Sequence, residues 1–141
     1  MISTKGRYAL RVMIEMALHD PEEFVPLKSI ADNQDISGKY LEAIISPLVK
    51  AGLLNGQRGK GGGYRLARTP AEYTVLDILK EVETSIAPVA CLEGPVNTCE
   101  RAPICSTLQM WTGLRDVMFD YLGGTTLEDL VEKERAARAT V

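Results

Sequence analysis

The stretch SGKYLEAIISPLVKAGLLNGQRGKGGGYRLA, residues 37–67, decides how this chain is read, and its last ten residues, RGKGGGYRLA (58–67), pose the question most sharply. Four glycines surround Lys60, and Tyr64 and Arg65 follow at once. A glycine cluster beside a lysine first suggests a loop whose N–H groups wrap phosphates. The spacing rejects that reading. Such a loop needs Gly-Lys followed by Ser or Thr at the opening of a helix, whereas Gly61, Gly62 and Gly63 follow Lys60. Tyr64 also stands where a dinucleotide fingerprint places its third glycine. A β-hairpin remains, with LLNGQR (53–58) and YRLA (64–67) as strands and the glycines supplying positive φ at the tip. Arg58, Lys60 and Arg65 around that tip suit it to a narrow, negatively charged groove; a surface hairpin with solvated charges is the plainer alternative.

Upstream, Ser37 is a fitting N-cap for GKYLEAIISPLVKA (38–51), which Gly52 stops. Pro47 removes one N–H inside that helix and crowds the carbonyl of Ala43, so a kink or break is expected near Ser46. PLKSIADNQ (26–34) reads as a short helix with Ile30 and Ala31 inward, and DIS (35–37) as a tight turn. GRYALRVMIEMAL (6–18) reads as a first helix with an apolar stripe at 10, 13, 14 and 17, ended by HDPEEF and its Pro21. Helix, short helix, turn, helix and two-stranded hairpin is the order of a winged helix-turn-helix, whose recognition helix enters the major groove. Lys39 and Tyr40 in the first turn of that helix can meet base edges or phosphates, and Glu42 can accept from a cytosine amino group. Arg58 can enter a minor groove. The plainer alternatives make Tyr40 and Leu41 part of the core and Glu42 a solvated residue. The full set of candidate DNA contacts is Lys28, Ser37, Gly38, Lys39, Tyr40, Glu42, Arg58, Lys60 and Tyr64.

With 141 residues, 45% apolar and 25% charged, the chain is expected to be a mostly α globular protein able to bury its own core. Glu15 interrupts the longest apolar run, VMIEMAL (12–18), so no membrane span is expected, and a cytoplasmic location is the default. The net charge of −3 hides an asymmetry. Residues 1–68 hold ten Lys/Arg against seven Asp/Glu, residues 69–141 six against twelve. Between Ser37 and Arg68 there are six basic residues and one acid, Glu42. A basic face on an acidic protein points to a polyanion touched on one side.

The chain divides into a winged helix-turn-helix (1–68), a linking helix segment (69–90), a cysteine loop (91–105) and a final helix with its tail (106–141). Thr74 and Asp77 form a capping box before VLDILKEVE (75–83), and Ser106 with Gln109 gives the same pattern before a long helix. That long helix carries two apolar stripes, one of Leu108, Trp111, Met118 and Leu122, the other of Met110, Leu114, Val117 and Tyr121. A helix apolar on two sides in so small a protein needs two covers, the second expected to be the same helix of another subunit, with coverage of both stripes by the one chain as the plainer alternative. TTLEDLVEKE (125–134) ends the chain as a short helix before a fraying charged tail.

Cys91, Cys99 and Cys105, spaced C-x7-C-x5-C, are the chain's three cysteines, an odd number that argues against a disulfide scaffold. One loop with three thiolates can hold an iron–sulfur cluster or zinc, although both usually take four ligands and no fourth is evident. His19, the only histidine, reads as a solvated residue. Cys105 precedes a helix N-terminus, which favours the thiolate, so a redox-reactive thiol stays open. A small thiol oxidoreductase using Cys105 would lack a C-x-x-C pair and a nearby general base, and a winged-helix adapter for protein remains a third class.

ISTKGRYALRVMIEMA (2–17), LKSIA (27–31), SGKYLEAIISPLVKAGLL (37–54), RGKGGGYRLA, TVLDILKEVE, the cysteine loop and TTLEDLV together resemble the bacterial winged-helix regulators typified by IscR, NsrR and CymR. The resemblance covers residues 1 to about 132. It implies a homodimeric transcription regulator, commonly a repressor, that is not an enzyme, binds a palindromic operator in double-stranded DNA and pairs through a long C-terminal helix. By the same resemblance Cys91, Cys99 and Cys105 match the cysteines of an iron–sulfur cluster, 2Fe-2S rather than 4Fe-4S. Lys39, Tyr40 and Glu42 match the DNA-reading positions, and Arg58 the wing arginine. The chain departs from the pattern in its longer first cysteine interval. It also reads CSTLQ (105–109), with Thr107 or Leu108 where IscR has its histidine ligand. Arg7 stands where nitric-oxide-sensing members carry an acidic ligand. CymR-like members lack these cysteines and respond through a partner enzyme of cysteine synthesis, so the resemblance points to the IscR-like branch.

Overall fold

A computed structural model describes residues 1–140. Helix α1 (Thr4–Leu18) starts at Ser3, whose hydroxyl accepts from the Gly6 N–H. Its buried side is Ala9, Val12, Met13 and Met16. Leu10, Ile14 and Ala17, three of the four positions of the expected stripe, are only half-buried at the edge of the core. Elements packed on neighbouring faces shift the burial, which the apolar spacing alone does not reveal. Glu15, which interrupts the apolar run, is itself buried. It accepts from Asn33 Nδ2 (3.2 Å) and Gln34 Nε2 (2.6 Å), so a charge that excludes a membrane span ties α1 to the end of α2 (Leu27–Gln34).

Asp35, in the left-handed region at φ 54°, ends α2 and turns the chain. Helix α3 (Gly38–Lys50) follows, with Ser37 Oγ accepting from the Tyr40 N–H at 3.0 Å. It runs through Pro47 without interruption, correcting the break expected near Ser46. Leu41, Ile44, Ile45 and Leu48 are all buried along one side and hold both halves of the helix to the core, which outweighs one missing N–H. Gly52, at φ 76°, terminates it: Gly52 N–H donates to Val49 O and Leu53 N–H to Leu48 O, the paired bonds of a left-handed helix end.

The wing consists of β1 (Leu54–Gln57) and β2 (Gly63–Leu66), antiparallel, with Leu54 opposite Leu66 and Gln57 opposite Gly63. Both strands end within a residue of the expected hairpin. Val25 adds a bridge the sequence did not announce, donating to Tyr64 O at 2.8 Å and accepting from Tyr64 N at 2.9 Å. Arg65, expected near the tip, instead lies over the Phe24 ring (4.3 Å) and donates to Glu22 O (3.0 Å), because alternation along β2 turns it toward the 20–25 loop.

Beyond the wing, Tyr73 is fully buried, and its hydroxyl donates to Leu53 O (2.7 Å) and accepts from the N–H groups of Ala67 and Arg68 (3.0 Å each). Helix α4 (Val75–Val82) opens with the expected Thr74–Asp77 box, both of its bonds at 3.0 Å. After two single 3-10 turns at Ala90–Leu92 and Ala102–Ile104 comes α5 (Leu108–Gly124). The expected Ser106–Gln109 box does not form: Thr107 is the N-cap, with αR backbone and no side-chain bond to the helix. The Thr107 hydroxyl lies 3.4 Å from Cys105 Sγ instead. Helix α6 (Leu127–Ala139) opens with a second Thr-Asp box, Thr126–Asp129, and runs through the tail expected to fray, with Arg138 paired to Glu134 at 3.0 Å. Backbone bonds from Val75 to Thr125 O and from Leu127 to Tyr73 O (2.9 Å each) join the starts of α4 and α6 beside the main core.

Candidate nucleic-acid interface and cysteine loop

Burying Leu41, Ile44, Ile45 and Leu48 leaves the opposite side of α3 in solvent, with Lys39, Glu42, Ser46 and Lys50 exposed. The wing stands beside that side. Between them runs a groove of about 690 Å³ lined by Glu42, Ser46, Lys50, Gln57, Arg58 and Tyr64 among others. Three of the candidate residues, Glu42, Arg58 and Tyr64, therefore share one concavity. Ser46, Lys50 and Gln57 were missed by the sequence reading. Helical spacing from Glu42 was the available signal for the first two, since 42, 46 and 50 recur every four residues along one side.

The other candidates are placed differently. Lys60 is exposed on the tip, between Gly59 (φ 88°) and Gly61 (φ 76°). Ser37 is exposed and uses its oxygen as the cap of α3, which leaves its O–H free to donate outward. Gly38 is half-buried; an added Cβ would sit 3.5 Å from Leu27 Cδ2, ordinary contact. Tyr40 is half-buried and meets Tyr8 edge-to-face, with ring centroids 6.0 Å apart at 84°. Leu41 is wholly core, and Tyr64 packs its ring against the edge of the core while lining the groove. Lys28, on α2, pairs with Asp32 at 3.0 Å with both side chains exposed. A pair so exposed contributes little to stability, so Lys28 exchanges partners readily.

The cysteine loop gives a different picture. Cys91 is half-buried, Cys99 and Cys105 are exposed, and all three are free thiols. The Thr107 hydroxyl, then the Thr107 N–H, hold the Cys105 thiol below its ordinary pKa; burial opposes them, and the Leu108 N–H and Arg101 add smaller effects in the same direction as Thr107. The donor chemistry suits a soft metal or cluster. The placement does not: among the described residues no three His, Cys, Asp or Glu side chains converge as a metal site.

Helix α5 buries none of its residues fully. Its first stripe is half-buried against its own chain, while Met110, Leu114, Val117 and Tyr121 are 56%, 42%, 66% and 73% exposed, half of the large exposed apolar side chains among the described residues. The two stripes read from the sequence thus separate into one covered and one open. Among the described residues no helix is long and apolar enough to cross a membrane.

Comparison with known proteins agrees with this architecture. CymR of Bacillus subtilis is 43% identical over 129 residues, 92% of this chain and 88% of that protein. Its solved structure, described as the global cysteine regulator, superposes with a TM-score of 0.76 at 42% identity, covering 94% of this chain and 97% of the other. IscR of Xenorhabdus nematophila is 37% identical over 133 residues, 94% of this chain and 80% of that protein. Identity therefore does not single out the IscR-like branch. These relatives are transcription regulators, not enzymes, which sets aside the thiol oxidoreductase. The model of the Rrf2 family, described as an iron-dependent transcriptional regulator, matches residues 2–133, and the chain belongs to that family of winged-helix transcription regulators.

Proposed function

We propose that the chain acts in the cytoplasm as a homodimeric repressor that binds a palindromic operator in double-stranded DNA and reads its signal at the cysteine loop. The observation that carries this reading is the cationic tip, with Arg58 and Lys60 exposed and Arg58 facing the polar side of α3 across one groove. In this reading α3 lies in the major groove, with Lys39, Tyr40 and Glu42 at base edges or phosphates. Ser37 and Lys28 hold the backbone, and Arg58 takes the minor groove. The open stripe of α5 is assigned to the second subunit, because an apolar surface of that kind on a helix demands a cover. Two subunits then present two wings and two recognition helices to half-sites one helical turn, or a multiple, apart.

The test is operator affinity measured across salt concentrations. Binding should weaken steeply as salt rises, because Lys and Arg contacts release counterions. Arg58→Ala should cost about 1–3 kcal/mol if the contact reads a base. A flat salt response, or unchanged affinity for Arg58→Ala, overturns the interface.

At the cysteine loop the reading is an iron–sulfur cluster on Cys91, Cys99 and Cys105, the two-iron form over the four-iron form. Its support is three thiols within fifteen residues, one favouring the thiolate, in a family described as iron-dependent. A second reading, a cluster-free thiol switch or control by a protein partner in sulfur metabolism, is favoured by the thiols standing apart and by the likeness to CymR. The anaerobic absorption spectrum of freshly purified protein, with iron and sulfide analysis, separates them. Colourless, iron-free protein favours the second.

A further inference from the structure

We infer that Tyr8 is a positioning residue for DNA recognition, acting through Tyr40 by a stack that runs from Arg11 on α1 to the first turn of α3. The inference rests on the DNA-binding reading above. Three observations carry it. The Tyr8 and Tyr40 rings meet edge-to-face, 6.0 Å between centroids and 84° between planes. The Arg11 guanidinium carbon sits 4.7 Å from the centre of the Tyr8 ring. Arg11 is exposed and makes no ion pair among the described residues, so Tyr8 is its described partner.

Tyr8 is half-buried at the rim, while Ala9, Val12 and Met13 of the same helix fill the interior. The rim is where α1 faces the start of α3. Tyr40 occupies that start, its N–H fixed by Ser37 Oγ and its neighbours Lys39 and Glu42 in solvent. An unsupported phenol there would sample several rotamers, and binding would have to freeze one. The electropositive edge of one ring against the face of the other selects a single orientation beforehand, and the Arg11 cation over the Tyr8 ring holds that ring in place in turn. Ordering one mobile side chain at an interface costs roughly 0.5–1.5 kcal/mol, so pre-ordering Tyr40 is worth about two- to thirteenfold in affinity, three- to tenfold over the middle of that range.

The experiment uses the full-length protein and a duplex selected by the wild type from a random-sequence pool, with a non-operator duplex of equal length. Tyr8→Phe keeps the stack and should bind the operator within about twofold of wild type. Tyr8→Leu should bind it about three- to tenfold more weakly, with non-operator affinity and salt slope unchanged. In a Tyr40→Ala background Tyr8→Leu should cause no further loss, since nothing remains to position. Arg11→Gln, at an exposed residue, serves if Tyr8→Leu does not fold; it should weaken operator binding about two- to fivefold without changing the salt slope. The inference is overturned if Tyr8→Leu or its substitute leaves operator affinity intact, lowers both affinities alike, or costs as much without Tyr40 as with it. A shallower salt slope in Arg11→Gln makes Arg11 a phosphate contact and overturns it too. If the wild type selects no duplex at all, the DNA-binding reading itself fails, an outcome distinct from neutral Tyr8 variants on a working operator.

Discussion

Replacing Gly63 with alanine tests the wing at the point where its glycines are least interchangeable. Gly61 needs glycine only for its backbone: φ is 76°, and a Cβ would meet nothing within 4 Å. Gly63 has φ 147° and lies so near Val25 that a Cβ would run into the Val25 carbonyl and come within 2.8 Å of Pro26 N. These are backbone atoms and cannot swing aside. Gly63→Ala must therefore keep a strained backbone, at about 1–3 kcal/mol, or part the Val25–Tyr64 bridge. Parting it gives up two hydrogen bonds of 2.8 and 2.9 Å, each contributing about 0.5–1.5 kcal/mol. Because parting the bridge leaves part of the φ strain in place, the two costs add in part, and the expected loss is about 2–4 kcal/mol, a large share of a typical domain's 5–15 kcal/mol. Urea unfolding at fixed protein concentration reads it as a lower midpoint with unchanged slope. Gly61→Ala is the control and should lose about 1–2 kcal/mol. If Gly63→Ala proves no worse than Gly61→Ala, the close approach of wing and Val25 is not what requires glycine.

Tyr73→Phe should destabilise the protein by about 1–3 kcal/mol in the same assay, because Leu53 O and the N–H groups of Ala67 and Arg68 lose their shared hydroxyl. Burial raises the Tyr73 pKa, so in the wild type this group's stabilisation is intact below the ordinary tyrosine value of about 10 and is lost as pH rises through the higher folded value. Tyr73→Phe should remove that alkaline loss, and an unchanged alkaline profile would contradict it. Cys105 should alkylate at lower pH than an ordinary thiol, and Thr107→Val should return it toward one, read by mass spectrometry of labelled peptides; equal pH profiles for wild type and variant would reject the Thr107 effect. Val117→Asp places a charge on the open stripe of α5 without touching the core, since Val117 is 66% exposed. Sedimentation should show it shifted from dimer to monomer, and a dimer as tight as wild type would move the proposed interface elsewhere.

What the sequence disclosed follows from which interactions are local. Both stripes of α5, the Thr74–Asp77 box and the Ser37 cap were legible, because helical spacing and a hydroxyl three residues from its N–H partner are properties of neighbouring residues. The break that Pro47 allowed does not occur, because its local penalty is real and burial of Leu41, Ile44, Ile45 and Leu48, a tertiary fact, outweighs it. Glu15 and Tyr73 were invisible as core residues for the same reason: a polar atom is tolerated inside only when its partners arrive, from Asn33 and Gln34 in one case and from the wing base in the other. Arg65 shows the limit at the interface itself. Its charge counts toward a basic face in any tally, yet Phe24 and Glu22 O hold it away from the tip, whereas Arg58 has no such anchor among the described residues and stays exposed. The cysteine loop differs in kind. Spacing supplies three thiols and one thiolate preference, but whether they act as one donor set depends on the loop closing around a ligand. The fold shared with both CymR and IscR places the wing without deciding that. In the proposed function, DNA recognition therefore rests on residues 1–68, and the proposed signal rests on chemistry at Cys91, Cys99 and Cys105 that a spectrum of the purified protein tests.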